Sequence, residues 1–133
     1  MDRFEEGMKV RRAVLGEAHV ERSLKNANDF DQDFQTYLTE SVWGSIWTRD
    51  GLERPERHMV TIAILAALGH EHELELHLRS TINTGVTALQ LREVLMHVAA
   101  YAGVPAANSA FALAKRILND QGRLETKPTE VNP

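Results

Sequence analysis

Apolar residues in this chain return at every third or fourth position, and hardly any stretch alternates apolar with polar residues. The first pattern lines one face of an α-helix and the second one face of a strand, so the expected fold is all-α, with about six helices. Phe4, Met8 and Leu15 mark a first helix over residues 2–15, closed by Gly16. The polar run 19–28 (HVERSLKNAN) reads as a connecting arm that builds no core. Phe30, Phe34, Leu38 and Val42 repeat every four residues and predict a second helix over 31–43. Residues 44–55 hold two glycines, a proline and Trp47, which predicts a loop with anchored aromatics.

The second half is more strongly punctuated. Residues 56–68 are apolar on nearly every face, which predicts a central, buried helix ending at Gly69. Leu74, Leu78 and Ile82 set the inner face of a helix over 70–83, and Gly85 follows where a left-handed cap is wanted. Thr87 and Gln90 have the spacing of a capping box. They open a helix with Leu91, Val94, Leu95, Val98 and Ala102 on one face, ended by Gly103. Pro105 falls in the first turn of a last helix, striped by Ala107, Ala110, Phe111, Ala114, Ile117 and Leu118 as far as residue 119. Residues 1–120 are expected to form one domain, and the polar stretch 121–133, with two prolines, a flexible tail.

Composition narrows the functional classes. The chain has no cysteine, which excludes disulfide scaffolds, thiolate metal sites and cysteine nucleophiles together. Nineteen acids against fifteen bases leave a net charge of −4, which speaks against a nucleic-acid partner. Residues 98–111 look like a helix-turn-helix, yet the recognition helix would offer Ala106, Ala107, Ala110 and Ala112 where base-reading donors are needed. The first twelve residues carry no apolar core of a secretory signal, and the longest apolar stretch, 59–68, is too short to span a bilayer. A cytoplasmic protein with no membrane partner is expected.

Three groups of side chains have the chemistry for a site. His70, Glu73 and His77 share one helix face, with Glu73 and His77 four apart and able to touch. They read either as an imidazole oriented by a carboxylate for acid–base work or as a solvated polar face. As a metal site the group falls short, because the zincin pattern started by His70 needs a histidine where Leu74 stands; no metal is expected. Trp43, Trp47, Arg49, Arg54 and Arg57 read either as an aromatic-walled pocket for an organic anion or as core anchors with a charged rim, or a subunit interface. Glu93, His97 and Tyr101, spaced by four, line a cleft or make a helix–helix contact.

Four segments, in order and spacing, resemble the carboxymuconolactone decarboxylase family. They are residues 7–22 (GMKVRRAVLGEAHVER), 43–49 (WGSIWTR), 57–77 and 100–108 (AYAGVPAAN), and the resemblance covers residues 4–118. It implies a compact orthogonal helical bundle of the alkylhydroperoxidase D-like type, assembled as a homohexamer. In the redox branch of that superfamily a CxxC pair precedes a histidine. Those positions fall here on His70, Glu73 and His77, so thiol chemistry is excluded and the decarboxylase branch remains.

The activity this resemblance implies is cofactor-independent decarboxylation of 4-carboxymuconolactone to 3-oxoadipate enol-lactone in protocatechuate breakdown by the β-ketoadipate pathway. The substrate is an unsaturated lactone with a ring carboxylate and an acetate arm, and its own carbonyl receives the electron pair left by CO2. No cofactor is then required. On this reading Arg49 and Arg57 hold the carboxylates, and His77, oriented by Glu73, donates the ring proton. Trp43 and Trp47 wall the ring, and His97 and Tyr101 are further donors for the enolate oxygen. His70 stands where the family commonly has an arginine that contacts the anion. Arg12 and His19 reach toward a neighbouring subunit's pocket. The implied partners are a small dicarboxylate lactone and further copies of the chain.

Overall fold

A computed structural model describes residues 1–125 and, among them, shows seven α-helices, one π-helical turn and no strand. The helices are α1 (Arg3–Leu15), α2 (Glu17–Asn26), α3 (Gln32–Leu38), α4 (Arg54–Leu68), α5 (Glu71–Thr84), α6 (Ala88–Ala102) and α7 (Val104–Asp120), with the π-turn at Thr39–Trp43. The helix beyond the expected six is α2, which replaces the arm expected over 19–28. Val20 is fully buried and Leu24, four residues on, packs half-buried on the same cluster, so two apolar anchors seat an otherwise polar helix.

Two hydrophobic clusters meet along α5. The larger joins α4 to α7 through Ile62, Leu74, Leu78, Leu91, Leu95 and Ile117. The smaller gathers Val14, Leu15 and Val20 around Trp43 and Trp47, with Leu76 of α5 packed against it. Asn83 ties α5 to α1 by donating from Nδ2 to the Val14 carbonyl at 2.9 Å. A polar residue on α5 between Leu76 and Leu78 therefore sits at the seam of the two clusters. That residue is His77.

Of the expected stripe of Phe30, Phe34, Leu38 and Val42, only Leu38 packs against the core. Phe30 is 96% exposed, and Phe34 and Val42 are also exposed. The inward face is instead Thr39, Trp43 and Trp47. Its cause is the close approach of α1: Gly7 lies against the Thr39 carbonyl and Gly44, where any side chain would clash. Residues 39–43 widen into a π-turn closed by the Gly44 amide on the Thr39 carbonyl at 2.8 Å, and Trp47 bonds back five residues to Val42 at 3.1 Å.

Two further expectations need correcting. The helix expected to be buried all round, α4, buries only His58, Ile62 and Ala66, while Val60, Ile64 and Leu68 are open. Ile82 is 60% exposed, because the inner face of α5 continues through Thr81 and Thr84. The punctuation is as expected. Gly85 is left-handed at φ 83°, Thr87 and Gln90 form the capping box, and Pro105 lies in the first turn of α7. The inner face of α7 buries Ala107, Ala110 and Ala114, so two of the alanines of the helix-turn-helix resemblance, Ala107 and Ala110, are core. Beyond α7, Arg123 donates to the Val86 carbonyl at 2.6 Å and to Thr81 Oγ1 at 2.8 Å, and Leu124 packs on the core. The rest of the expected tail, 126–133, lies outside the described residues. Among the described residues no helix is long and apolar enough to cross a membrane.

Gly7→Ala places a Cβ on the Thr39 carbonyl and 2.8 Å from the Gly44 nitrogen. Overpacking of this kind costs about 1–3 kcal/mol, so thermal unfolding followed by circular dichroism is expected to shift down by roughly 5–15 °C. Gly51→Ala, where nothing lies within 4 Å, is the control and is expected to leave Tm unchanged.

Candidate active site

Four rings meet where α4, α5 and the π-turn converge. Trp43 and Trp47 stack with centroids 5.0 Å apart, and both are buried. Trp43 lies nearly parallel to His77 at 6.3 Å. Trp47 meets His58 edge-on at 5.6 Å, and His58 meets His77 edge-on at 5.2 Å. The two imidazoles are hydrogen-bonded, His58 Nε2 to His77 Nδ1 at 3.0 Å. The other nitrogen of His58, Nδ1, is 2.6 Å from Thr84 Oγ1. His58 has no exposed surface at all.

Burial sets the protonation of this pair. Removing the imidazoles from water disfavours their charged form and pushes His58 down to about 3 and His77 to about 4. The charge of each neighbour adds to it: His77 acts on His58, and His19 on His77. His19 is itself lowered, by burial first and then by Arg22, Arg11 and His72. His19 is half-buried, with Nε2 3.4 Å from Ser23 Oγ. Arg12 is occupied by Glu17 and Glu21.

The expected orientation of His77 by Glu73 is not observed. Glu73 is exposed and makes no hydrogen bond to His77 among the described residues; His58 holds the ring instead. The two residues share a helix face, but the core draws the imidazole inward and water keeps the carboxylate outside. His70 caps the start of α5, exposed, seven residues or about 10 Å along the axis from His77. Among the described residues no group of three histidine, aspartate or glutamate side chains is placed to hold a metal ion.

Arg49, Arg54 and Arg57 line a cleft of about 660 Å³ with Lys9 and Trp47, and the acids Glu6, Asp50 and Glu53 line it as well. Arg57 of α4 donates to the Arg49 carbonyl at 3.1 Å, which ties the loop carrying Arg49 to that helix. Trp47 lines this cleft and also meets His58 edge-on. His97 and Tyr101 stand elsewhere. They stack on each other at 4.9 Å and line an apolar groove between α4 and α6 with Val60 and Ile64, on another face of α4 from His58.

Three participants escape the sequence reading: His58, Thr84 and Arg11. His58 had a legible signal, as the one imidazole in the apolar run of α4, on the stripe that continues through Ile62 and Ala66. Arg11 is 4% exposed, with Nη1 on Thr39 Oγ1 at 3.2 Å, Nη2 on Gln35 Oε1 at 3.0 Å and Nε without a partner. It ties α1 to the π-turn that carries Trp43.

The domain is all-helical, and its candidate site is a pair of hydrogen-bonded imidazoles packed against two indoles. The chain belongs to the carboxymuconolactone decarboxylase family, whose model matches residues 32–116. It is 48% identical over 130 residues to 4-carboxymuconolactone decarboxylase of Acinetobacter baylyi, covering 98% of this chain and 95% of that one. It is 41% identical over 117 residues to nitrosuccinic acid decarboxylase of Metarhizium robertsii, covering 88% and 82%. A 42-residue match, 52% identical, covers 32% of this chain and 88% of a Pseudomonas putida 4-carboxymuconolactone decarboxylase sequence.

The histidine pair makes stability depend on acid. In the unfolded chain both imidazoles take a proton near pH 6.5, whereas in the folded chain they resist it down to about 4 and about 3. Between those limits the unfolded state binds more protons, so stability is complete above pH 7 and falls on acidification. Each histidine is expected to remove about 2 kcal/mol between pH 7 and pH 5. Urea unfolding at the two pH values measures this, and His58→Gln is expected to reduce the slope by about half.

Proposed function

We propose that this chain decarboxylates 4-carboxymuconolactone to 3-oxoadipate enol-lactone. The observation that carries the reading is 48% identity with the Acinetobacter decarboxylase over almost the whole of both chains. The bond from the ring to its carboxylate breaks, CO2 leaves, and the electron pair passes through the ring double bond onto the lactone carbonyl. One proton, supplied by water over the cycle, is added to a ring carbon. The protein has to bind a dianion, stabilise the dienolate and deliver that proton.

His77 is the proton donor. A pKa near 4 leaves it neutral at pH 7, so a neutral imidazole N–H rather than an imidazolium meets the dienolate. Arg49 and Arg57 fasten the carboxylates from the cleft, and Trp43 and Trp47 wall the ring and exclude water. Trp47 joins the cleft to the histidine pair. His70 belongs to the rim of the site. Glu73 acts at most through the local field, and His97 and Tyr101 serve the α4–α6 groove instead.

That groove, about 480 Å³ and lined by Val60, Ile64 and Tyr101 among others, supports assembly with further copies of the chain, six in the reading adopted here. The bundle is of the alkylhydroperoxidase D-like type, residues 1–120 forming its single domain, and the enzyme works in the cytoplasm on the products of aromatic breakdown. A second substrate has one observation in its favour, the 41% identity with a nitrosuccinic acid decarboxylase.

The test is CO2 release from 4-carboxymuconolactone generated in situ by a cycloisomerase, with and without a chelator, and with nitrosuccinate alongside. Rapid release from the lactone, unaffected by chelator, is expected. Release from nitrosuccinate alone transfers the reading to that substrate, and loss of activity with chelator overturns the mechanism. Arg49→Met is expected to raise KM about tenfold, the loss of one charge-assisted hydrogen bond.

A further inference from the structure

The hydrogen-bond inventory around His58 determines which nitrogen of His77 carries the proton. His58 is wholly buried, so its two ring nitrogens must be satisfied by Thr84 Oγ1 at 2.6 Å and His77 Nδ1 at 3.0 Å. A neutral imidazole offers one donor and one acceptor, which leaves two arrangements. In the first, the Thr84 hydroxyl donates to His58 Nδ1, His58 Nε2–H donates to His77 Nδ1, and His77 keeps its proton on Nε2. In the second every bond is reversed, and His77 Nε2 becomes a bare lone pair.

The Thr84 hydroxyl separates the two. It is 2.6 Å from His58 Nδ1, and in the first arrangement its proton is spent on that nitrogen. The reversed arrangement needs another acceptor for it. The acceptor at hand is the Thr81 carbonyl at 3.4 Å, which already receives the Gly85 amide at 3.0 Å. No carboxylate hydrogen-bonds either ring among the described residues, so no acid competes to set the tautomer.

We propose that Thr84 and His58 are positioning residues that hold His77 as its Nε2–H tautomer, presenting a donor and not a base. Its catalytic meaning rests on the decarboxylation proposed above, because a dienolate needs a donor there. The tautomer itself is a property of the resting protein, and it is measured without substrate. His58 Nε2–H, 3.0 Å from His77 Nδ1, also stabilises the imidazolate left when His77 gives up its Nε2 proton, until water returns that proton.

Histidine-selective ¹⁵N labelling and long-range ¹H–¹⁵N correlation at pH 7 read the tautomer directly. Both His58 and His77 are expected to be protonated at Nε2, with Nδ1 unprotonated; a protonated Nδ1 on His77 overturns the proposal. Thr84→Val keeps the shape and removes the donor. It is expected to lower kcat about tenfold with KM within about twofold, and to mix the His77 tautomers, while Thr84→Ser restores both. A folded Thr84→Val with wild-type tautomer and kcat also overturns it. Should the valine variant not fold, the wild-type spectrum alone decides. Absence of CO2 release with the expected spectrum contradicts the proposed reaction and leaves the tautomer assignment standing.

Discussion

His58, an imidazole wholly buried with no carboxylate bonded to it, is satisfied by a hydroxyl and by the half-buried His77, and the helical hairpin is built to allow it. The left-handed turn at Gly69 reverses the chain between α4 and α5. Counting outward from Gly69 and His70, His58 stands opposite Thr81, midway between His77 and Thr84. Those two lie seven residues apart, hence on one face of α5, and His58 reaches both. Losing the hairpin's register would leave a polar nitrogen unpaired in the core.

Around that pair the smaller hydrophobic cluster does the shielding. The close approach of α1 at Gly7 and Gly44 forces the π-turn, and the π-turn brings Thr39, Trp43 and Trp47 onto the inner face. The indoles then keep water from the imidazoles, and burial keeps the imidazoles neutral. A positively charged cleft beyond Trp47 completes the arrangement, with basic groups outside and neutral donors inside. That ordering suits a dianion that must be held at one end and shed CO2 at the other.

Much of this was legible from the residues alone. Helix-period apolar spacing, the Thr87–Gln90 capping box and the glycines at 69, 85 and 103 mark the second half of the chain correctly. The first half misleads, because α2 is anchored by Val20 and Leu24 alone and because a π-turn shifts the buried face away from the larger apolar residues. The family was also legible, as was the helix that carries His77. Its partner was not: spacing makes Glu73 the natural neighbour, whereas the choice between an exposed carboxylate and a buried imidazole is made by packing from α4. Apolar residues such as Ile64 and Tyr101, read as core or site, face outward.

The most direct measurement of the central claim is steady-state turnover of the lactone by His77→Gln, with circular dichroism to show that the fold is kept. If the buried imidazole delivers the proton, kcat falls at least about tenfold while the helical spectrum and its thermal transition persist. A folded His77→Gln protein that turns over at the wild-type rate removes His77 from the reaction and contradicts the account.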